Sequence, residues 1–374
     1  MIYELGKICR LALETGKKNT LERVDKLSKP RKGEKLKLIW NWTVFDWDKG
    51  KEGYGEIEND GIQTKPPSKA FPSMSWKNGK LTFGDLSKAD MGCSIAMTLV
   101  LDKKVNIQKP ANMDTGPTHR IAFGQRSDNS LIVVTEENIT TQSLAEKMLS
   151  YGCANAFQGD CGDSVGVYDG KKLTDHGRAI AGAIAAYEID VDYWLEFRNK
   201  WQNRIYPDLA YAISYMAYKK SKKAKCTSGF RSAEEQLASQ KYALIQHKNY
   251  TQLSDGRVYN SKGQCMVSAV GESSHNWGMA FDSAGTWIEK MTDAELRTYG
   301  LCKPMSYEPW HIELIKRYTL EQKKNLFYKY MGGYPMDAKT FQMITGLKPD
   351  GVVGKLTLAK MKEVKELINK HVKG

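Results

Sequence analysis

The sequence predicts an α+β chain made of more than one domain, and three observations lead there. At 374 residues, with 41% hydrophobic and 26% charged side chains, there is enough apolar chain for several cores under an ordinary polar surface. The first half sets β-branched and aromatic runs between Gly- and Asp-rich turns, the pattern of half-buried strands. The second half carries two helix-start signatures, Ser232-Ala-Glu-Glu235 and Thr292-Asp-Ala-Glu295, in which a hydroxyl and a glutamate satisfy each other's backbone amides. The expected division is a mixed α/β domain over residues 1–188, an antiparallel sheet with flanking helices over 189–320, and a small helical domain over 321–374.

In chain order, Met1–Lys18 reads as a short amphipathic helix, because Ile2, Leu5, Ile8, Cys9, Leu11 and Leu13 fall at near-helical spacing. Lys26–Lys37 is a basic linker. Strand character begins at Leu36 with LKLIWNWTVFD and breaks at DKGKEGYG. Met97–Val105 and Leu131–Thr135 are further strands. Ser143-Leu-Ala-Glu146 opens a helix to about Tyr151, and Ala179–Tyr187 is a closing buried strand. Ile189–Arg204 reads as a helix with Trp194, Phe197 and Trp201 on one packing face. Leu209–Lys220 is a helix running into the basic stretch KKSKKAK. Cys226–Phe230 reads as a strand delivering Arg231 to the N-terminus of the helix that Ser232 starts. Gly278–Asp282 reads as a central strand, with His275 and Asp282 at its two ends. Pro309 stops any helix, so Glu308–Leu314 reads as strand, and alternation sends Trp310 and His311 to opposite sides.

The formal net charge is +13, and it is uneven: Ile315–Gly374 holds thirteen Lys/Arg against five Asp/Glu, and Met1–Leu38 eleven against five. A basic surface favours polyanions. No zinc-finger, helix-turn-helix or other nucleic-acid motif is present, so the expected polyanion is an anionic cell wall and not nucleic acid. The seven cysteines are odd in number and contain no CxxC pair, which reads as reduced thiols and not as a disulfide framework. No run of ~18 apolar residues suggests a membrane span. The first residues do not read as a secretory signal. The expectation is synthesis in the cytoplasm and action on the wall after release.

The densest chemistry lies in Ser273–Asp282, SSHNWGMAFD, together with Glu308–His311, EPWH. Two imidazoles, one carboxylate to bind and one to spare are what a catalytic metal site needs: three ligands, an open position for water, and a base. Each piece alone has an ordinary reading as a packed His, a turn Asp or a chance string, and only their coincidence is informative. The pattern SxHxxGxAxD followed by ExWH resembles the zinc peptidase group that includes D-alanyl-D-alanine carboxypeptidases, phage L-alanyl-D-glutamate endopeptidases, lysostaphin and hedgehog domains. The resemblance implies Zn²⁺ on His275, Asp282 and His311, with Glu308 as general base. It also implies an upstream arginine in a Ser-Gly-aromatic-Arg-Ser context, here Ser228-Gly229-Phe230-Arg231-Ser232, followed by Gln236. Arg231 would assist the oxyanion or bind a substrate carboxylate. Ser273 and Gln236 would orient ligand or substrate.

Two further segments carry resemblances. Asn41-Trp-Thr-Val-Phe45-Asp46, Thr118-His119-Arg120-Ile-Ala122-Phe-Gly124 and Gln158-Gly159-Asp160-Cys161-Gly162-Asp163-Ser164 follow the order of motifs in the phosphodiester glycosidase family, but Asp163 puts negative charge where that family would hold a phosphate. Phe341-Gln342 and Asp350-Gly351-Val-Val-Gly354-Lys-Leu-Thr357 resemble the turn of peptidoglycan-binding repeats. Together these imply a phage-type endolysin acting on bacterial peptidoglycan, with an N-terminal domain of doubtful activity. The alternatives are a D-Ala-D-Ala carboxypeptidase, a wall-binding protein with a silent site, and a phosphodiester glycosidase.

Overall fold

Short alternating runs leave each strand one face to bury, and the chain meets that need by stacking antiparallel sheets. The computed structural model describes residues 1–16, 20–44, 57–65, 71–84, 86, 89–111, 113–175, 178–254, 256–331, 342, 345–348, 355–360 and 362–363. The chain divides into two compact units, Met1–Ile189 and Asp190–Gly374. The architecture is α+β and multidomain, with several antiparallel sheets and with helices.

In the first unit a six-stranded sheet runs, in spatial order, through Ile2–Glu4, Leu131–Ile139, Thr118–Arg126, Cys153–Gln158, Met97–Leu101 and Lys104–Val105. A five-stranded sheet runs through Leu173–Asp175, Gly166–Tyr168, Glu34–Asn41, Gly182–Ile189 and Arg10–Thr15. A second five-stranded sheet is built from the segments between Ile57 and Ser94. One core joins them, with Leu11, Leu38, Trp40, Phe123, Phe157 and Ile184 fully enclosed. Helix α1 (Thr141–Ser150) covers the other face of the six-stranded sheet, setting Leu144, Ala145 and Met148 on Ala122, Ile132 and Val134.

This unit is more strictly β than the mixed α/β arrangement expected. The N-terminal segment is not a helix but two strands, Ile2–Glu4 and Arg10–Thr15, with Gly6 at φ +61° between them. In the second strand Leu11 and Leu13 enter one core while Ala12 enters another, so the period is two and not 3.6. Helix α1 starts one turn earlier than expected, because Thr140 and not Ser143 is its cap: Thr140 Oγ1 accepts from Ser143 N at 3.1 Å.

The second unit begins with α2 (Val191–Trp194), a single turn capped by Asp190, and then goes extended as Leu195–Phe197, pairing in parallel with Ala224–Cys226. The expected helix with Trp194, Phe197 and Trp201 on one face therefore does not form. Instead Trp194 meets Tyr218 edge-on at 5.9 Å, and Phe197 meets Phe281 at 6.3 Å. Helix α3 (Pro207–Lys219) starts on a proline, whose missing N–H costs nothing in a first turn, and buries Leu209, Ile213, Met216 and Ala217. Helix α4 (Ala233–Gln246) opens on the full Ser232/Glu235 capping box, and the short α5 (Asp293–Arg297) on that of Thr292/Glu295.

Among the described residues this unit also holds two three-stranded sheets: Thr251–Gln252 with Val258–Tyr259 and Cys265–Val267, and Phe281–Asp282 with His311–Leu314 and Leu301–Cys302. Helix α6 (Leu320–Met331) follows, and its Phe327 stacks on Phe230 at 5.6 Å and meets Trp277 at 5.7 Å. All seven cysteines are free thiols. No helix among the described residues is long and apolar enough to cross a membrane.

Two glycines shape the ground beneath the site. Gly278 has φ +65°, and a Cβ there would lie 2.3 Å from the Arg204 carbonyl oxygen. A Cβ on Gly229 would lie 2.3 Å from the Gln202 carbonyl oxygen. Their absence lets the segment 202–206 approach, and Tyr206 N donates to Gly278 O at 2.8 Å and Phe230 N to Gln202 O at 3.1 Å. Replacing Gly278 by Ala forces both a left-handed backbone and a steric clash, so G278A should cost about 3 kcal/mol of stability. Urea unfolding of the metal-free protein tests this, and an unchanged midpoint would show that the segment yields freely.

Candidate metal centre

Each metal-binding candidate is delivered by a short, tightly tied element. His275 sits not on a strand but in a 3-10 turn, Ser274–Trp277, which Ser273 caps with its hydroxyl and which ends at left-handed Gly278. The expected strand Gly278–Asp282 shrinks to Phe281–Asp282, because the glycine turns the chain first. Asp282 pairs directly with His311, and Asp282 N donates to Ser228 O at 2.8 Å. Glu308–Trp310 is likewise a turn and not strand. His311 N donates to Glu308 O at 3.0 Å, and the strand begins at His311. Alternation therefore does not separate Trp310 from His311, and both line the same groove.

The three side chains converge. His275 Nε2 lies 3.2 Å from Asp282 Oδ1, His311 Nδ1 lies 2.9 Å from the same oxygen, and the two ring nitrogens are 3.2 Å apart. Three donors each ~2.0–2.1 Å from a tetrahedral ion would stand about 3.3 Å from one another, so the cluster is already close to the size such an ion needs. The tautomers fit as well. His275 Nδ1 donates to Gly229 O at 2.7 Å, leaving Nε2 with its lone pair toward Asp282. His311 Nε2 faces Glu313 Oε1 at 3.1 Å, which leaves Nδ1 for the cluster. Fixing the far nitrogen of a ligating imidazole with a carbonyl or carboxylate is the usual support of metal-bound histidine. All three residues are buried, and they form a His/His/Asp cluster able to hold a divalent metal.

Electrostatics without a metal follow from that geometry. Burial opposes charge on Asp282, but the two imidazoles outweigh it and hold the carboxyl below the usual carboxylate range. Burial also pushes His275 down, toward the neutral ring that a ligand must be. His311 behaves oppositely: burial works against its charge, yet hydrogen bonds to Asp282 and Glu313 push it up to about 9. Glu313, despite burial, is drawn down to about 2 by His311.

The cluster forms part of the wall of an open groove of about 920 Å³, whose lining also includes Arg231, Gln236, Ser273, Glu308 and Trp310. Glu308 is half-buried, and among the described residues its carboxylate has no hydrogen bond or ion pair. Burial pushes its pKa up, while His311 pulls the other way. Arg231 directly precedes the cap of α4. Its Nη2 donates to Ser228 Oγ at 3.0 Å and stands 3.7 Å from Asp282 Oδ2, and its Nη1 donates to Gln236 Oε1 at 3.1 Å. Gln236 donates one amide N–H to Ser268 O at 2.8 Å and accepts from Arg231 through Oε1, so it positions Arg231. The Ser273 hydroxyl accepts from His275 N at 3.3 Å, which makes it a brace of the turn.

Sequence reasoning missed three supports: Glu313, the Gly229 carbonyl, and Asn276, whose amide nitrogen donates to Arg231 O at 2.8 Å while its oxygen accepts from Gly271 N at 3.0 Å. Only Glu313 carried a signal, since two residues along a strand from His311 is the same face.

Outside this unit, Arg120 of the first unit is fully buried, donating to Ile139 O at 2.9 Å and Gly116 O at 2.5 Å, so it knits a loop to a strand end. Asn41 bridges Asp160 O and Gly166 N, each at 3.0 Å. Phe45 and Asp46, and the turn from Asp350 to Gly354 with Phe341, lie outside the described residues. Gln342 and Thr357, on either side of that turn, are buried and hydrogen-bonded at 3.0 Å.

No protein-family model matches the chain, and no curated protein matches it. Among solved structures, the chain is similar to the catalytic domain of zebrafish N-acetylglucosamine-1-phosphodiester alpha-N-acetylglucosaminidase, auto-inhibited by its pro-peptide. That likeness has 19% identity, covers 50% of this chain and 76% of the other, and has a TM-score of 0.43. It is also similar to a hypothetical protein from Synechocystis, at 9% identity, covering 50% of this chain and 57% of that one, with a TM-score of 0.39.

With His311 pushed up to about 9, its proton must leave before Nδ1 can ligate. Metal affinity should therefore rise with pH by about tenfold per unit between pH 6 and 8, and binding should release a proton. Calorimetry in buffers of different ionisation enthalpy checks this, and a pH-independent affinity would contradict it.

Proposed function

We propose that residues 189–320 are a zinc peptidase that hydrolyses a stem-peptide bond of bacterial peptidoglycan, in the manner of an L-Ala-D-Glu endopeptidase. One observation carries the reading: two imidazoles and one carboxylate converge at 2.9–3.2 Å beside an open groove, with a second carboxylate, Glu308, near them and unpaired among the described residues. The SxHxxGxAxD and ExWH patterns add the substrate class by resemblance. His275, Asp282 and His311 would hold Zn²⁺, and the ion would supply Lewis acidity that makes water acidic enough to serve as a nucleophile near neutral pH.

The chain's own groups do the rest. Glu308, with its basicity raised by burial, accepts the proton of the attacking water and returns it to the leaving amine. Arg231, held by Ser228 and Gln236, offers its charge to the groove, where it stabilises a developing oxyanion or binds one of the free carboxylates of a stem peptide. Asp282, kept ionised, balances the positive charge gathered there. The net charge of +13 suits a partner surface of anionic wall polymers, and no nucleic-acid role is proposed.

Glu308→Ala should keep one bound zinc yet lower the rate of muropeptide cleavage by about 10²–10⁴-fold. Mass spectrometry of digested walls, with and without chelator, reads both the rate and the bond cut. Products lacking terminal D-Ala would move the assignment to a D-Ala-D-Ala carboxypeptidase. Wall digestion that persists in Glu308→Ala and in the presence of chelator would sink the peptidase reading. Sugar-phosphate ester products surviving His275→Ala would instead make the first unit a phosphodiester glycosidase.

A further inference from the structure

We propose that Glu313, Ser274 and Lys323 form a hydrogen-bonded strut behind His311 that fixes its ring for metal binding and makes helix α6 part of the metal centre. This rests on the reading of His275, Asp282 and His311 as metal ligands. An imidazole can present either nitrogen after a ring flip. Only with Nε2 turned outward does His311 offer Nδ1 to the cluster, and a buried outward N–H needs an acceptor. Glu313 Oε1 supplies it at 3.1 Å, from two residues along the same strand.

Glu313 is itself held. The Ser274 hydroxyl stands by its carboxylate and helps to keep it ionised. Lys323 Nζ donates to Ser274 Oγ at 2.6 Å. An ammonium has no acceptor, so Ser274 accepts from Lys323 and its own proton is left for Glu313. The order of donation is Lys323 to Ser274 to Glu313, with His311 donating to the same carboxylate from the other side. Ser274 also precedes His275, so one strut braces both imidazole-bearing segments. Lys323 belongs to α6, and four residues further on Phe327 packs on Phe230 and Trp277, next to Gly229 and His275. The helix that follows the catalytic sheet is thereby tied to the metal centre at two points. An ordinary surface ion pair is a competing account of Glu313, since Arg317 Nη1 lies 3.3 Å from its Oε2, and the experiment separates the two.

The test uses the full chain, zinc alone, and competition with a chelating dye, together with ¹⁵N resonances of the His311 ring. Glu313→Ala should weaken zinc by about 10–100-fold and abolish the single Nε2–H tautomer. Glu313→Gln, whose amide oxygen still accepts, should recover most of both. Lys323→Met should weaken zinc in the same direction by a smaller factor, while Arg317→Met should leave it unchanged. Wild-type affinity and tautomer in Glu313→Ala would overturn the strut, as would a Gln variant no better than Ala. If the Ala variant does not fold, loss of affinity in Lys323→Met but not in Arg317→Met supports the strut, and the reverse overturns it. A wild-type chain that takes up no zinc overturns the metal reading itself, a distinct outcome.

Discussion

The second unit depends on one buried carboxylate facing two imidazoles. Asp282 Oδ1 is within 3.2 Å of both His275 Nε2 and His311 Nδ1, while its other oxygen lies 3.7 Å from Arg231. A charge removed from water is tolerated only when its surroundings repay the lost hydration. Here the repayment comes chiefly from the His311 imidazolium and the Arg231 guanidinium, brought in from separate parts of the chain. That demand explains the tight backbone: Asp282 is hydrogen-bonded through N to Ser228 and through its carbonyl to Thr227 N, and it pairs in register with His311. A slip of one residue would turn the carboxylate away from the rings.

Around this centre the groups have opposed environments, which is how sites of this kind divide their labour. Asp282 is held ionised and His275 is pushed toward neutrality, so both suit ligation. Glu308, in the same groove, is pushed toward a proton by burial, which suits exchange and not ligation. His311 is the group under tension, because without a metal its two acidic neighbours favour the imidazolium. A metal ion would have to displace that proton from Nδ1, while Glu313 faces the ring's other nitrogen.

Legibility from sequence varied with the range of the interaction that decides each element. The capping boxes at Ser232 and Thr292 are contained within four residues and appear as read. Met97–Val105 is not one strand but two, Met97–Leu101 and Lys104–Val105, turned back at Asp102 and Lys103, whereas the strands at Leu36 and Leu131 were legible from composition and alternation. The first fifteen residues were not: Ile2–Glu4 and Arg10–Thr15 are strands because partners wait at Leu131–Ile139 and Gly182–Ile189, more than a hundred residues away. Trp194 and Phe197 were misread for the same reason, since pairing with Ala224–Cys226 pulls Leu195 out of the helix that local spacing suggested. Within the site, the left-handed glycine at 278 and the turn at Glu308–Trp310 shortened both expected strands.

By itself the sequence determined the kinds of donor available, their order along the chain, and the local signals that start α4 and α5, because these are properties of neighbouring residues. Tertiary structure alone decided that Asp282 stands opposite His311, that Gly229 and Glu313 take the far nitrogens of the two rings, and that a lysine of α6 reaches back to Ser274. Those contacts join residues up to 49 positions apart. A local pattern cannot encode which distant group will satisfy a buried N–H; only the packing that brings the segments together creates the need and its answer at once.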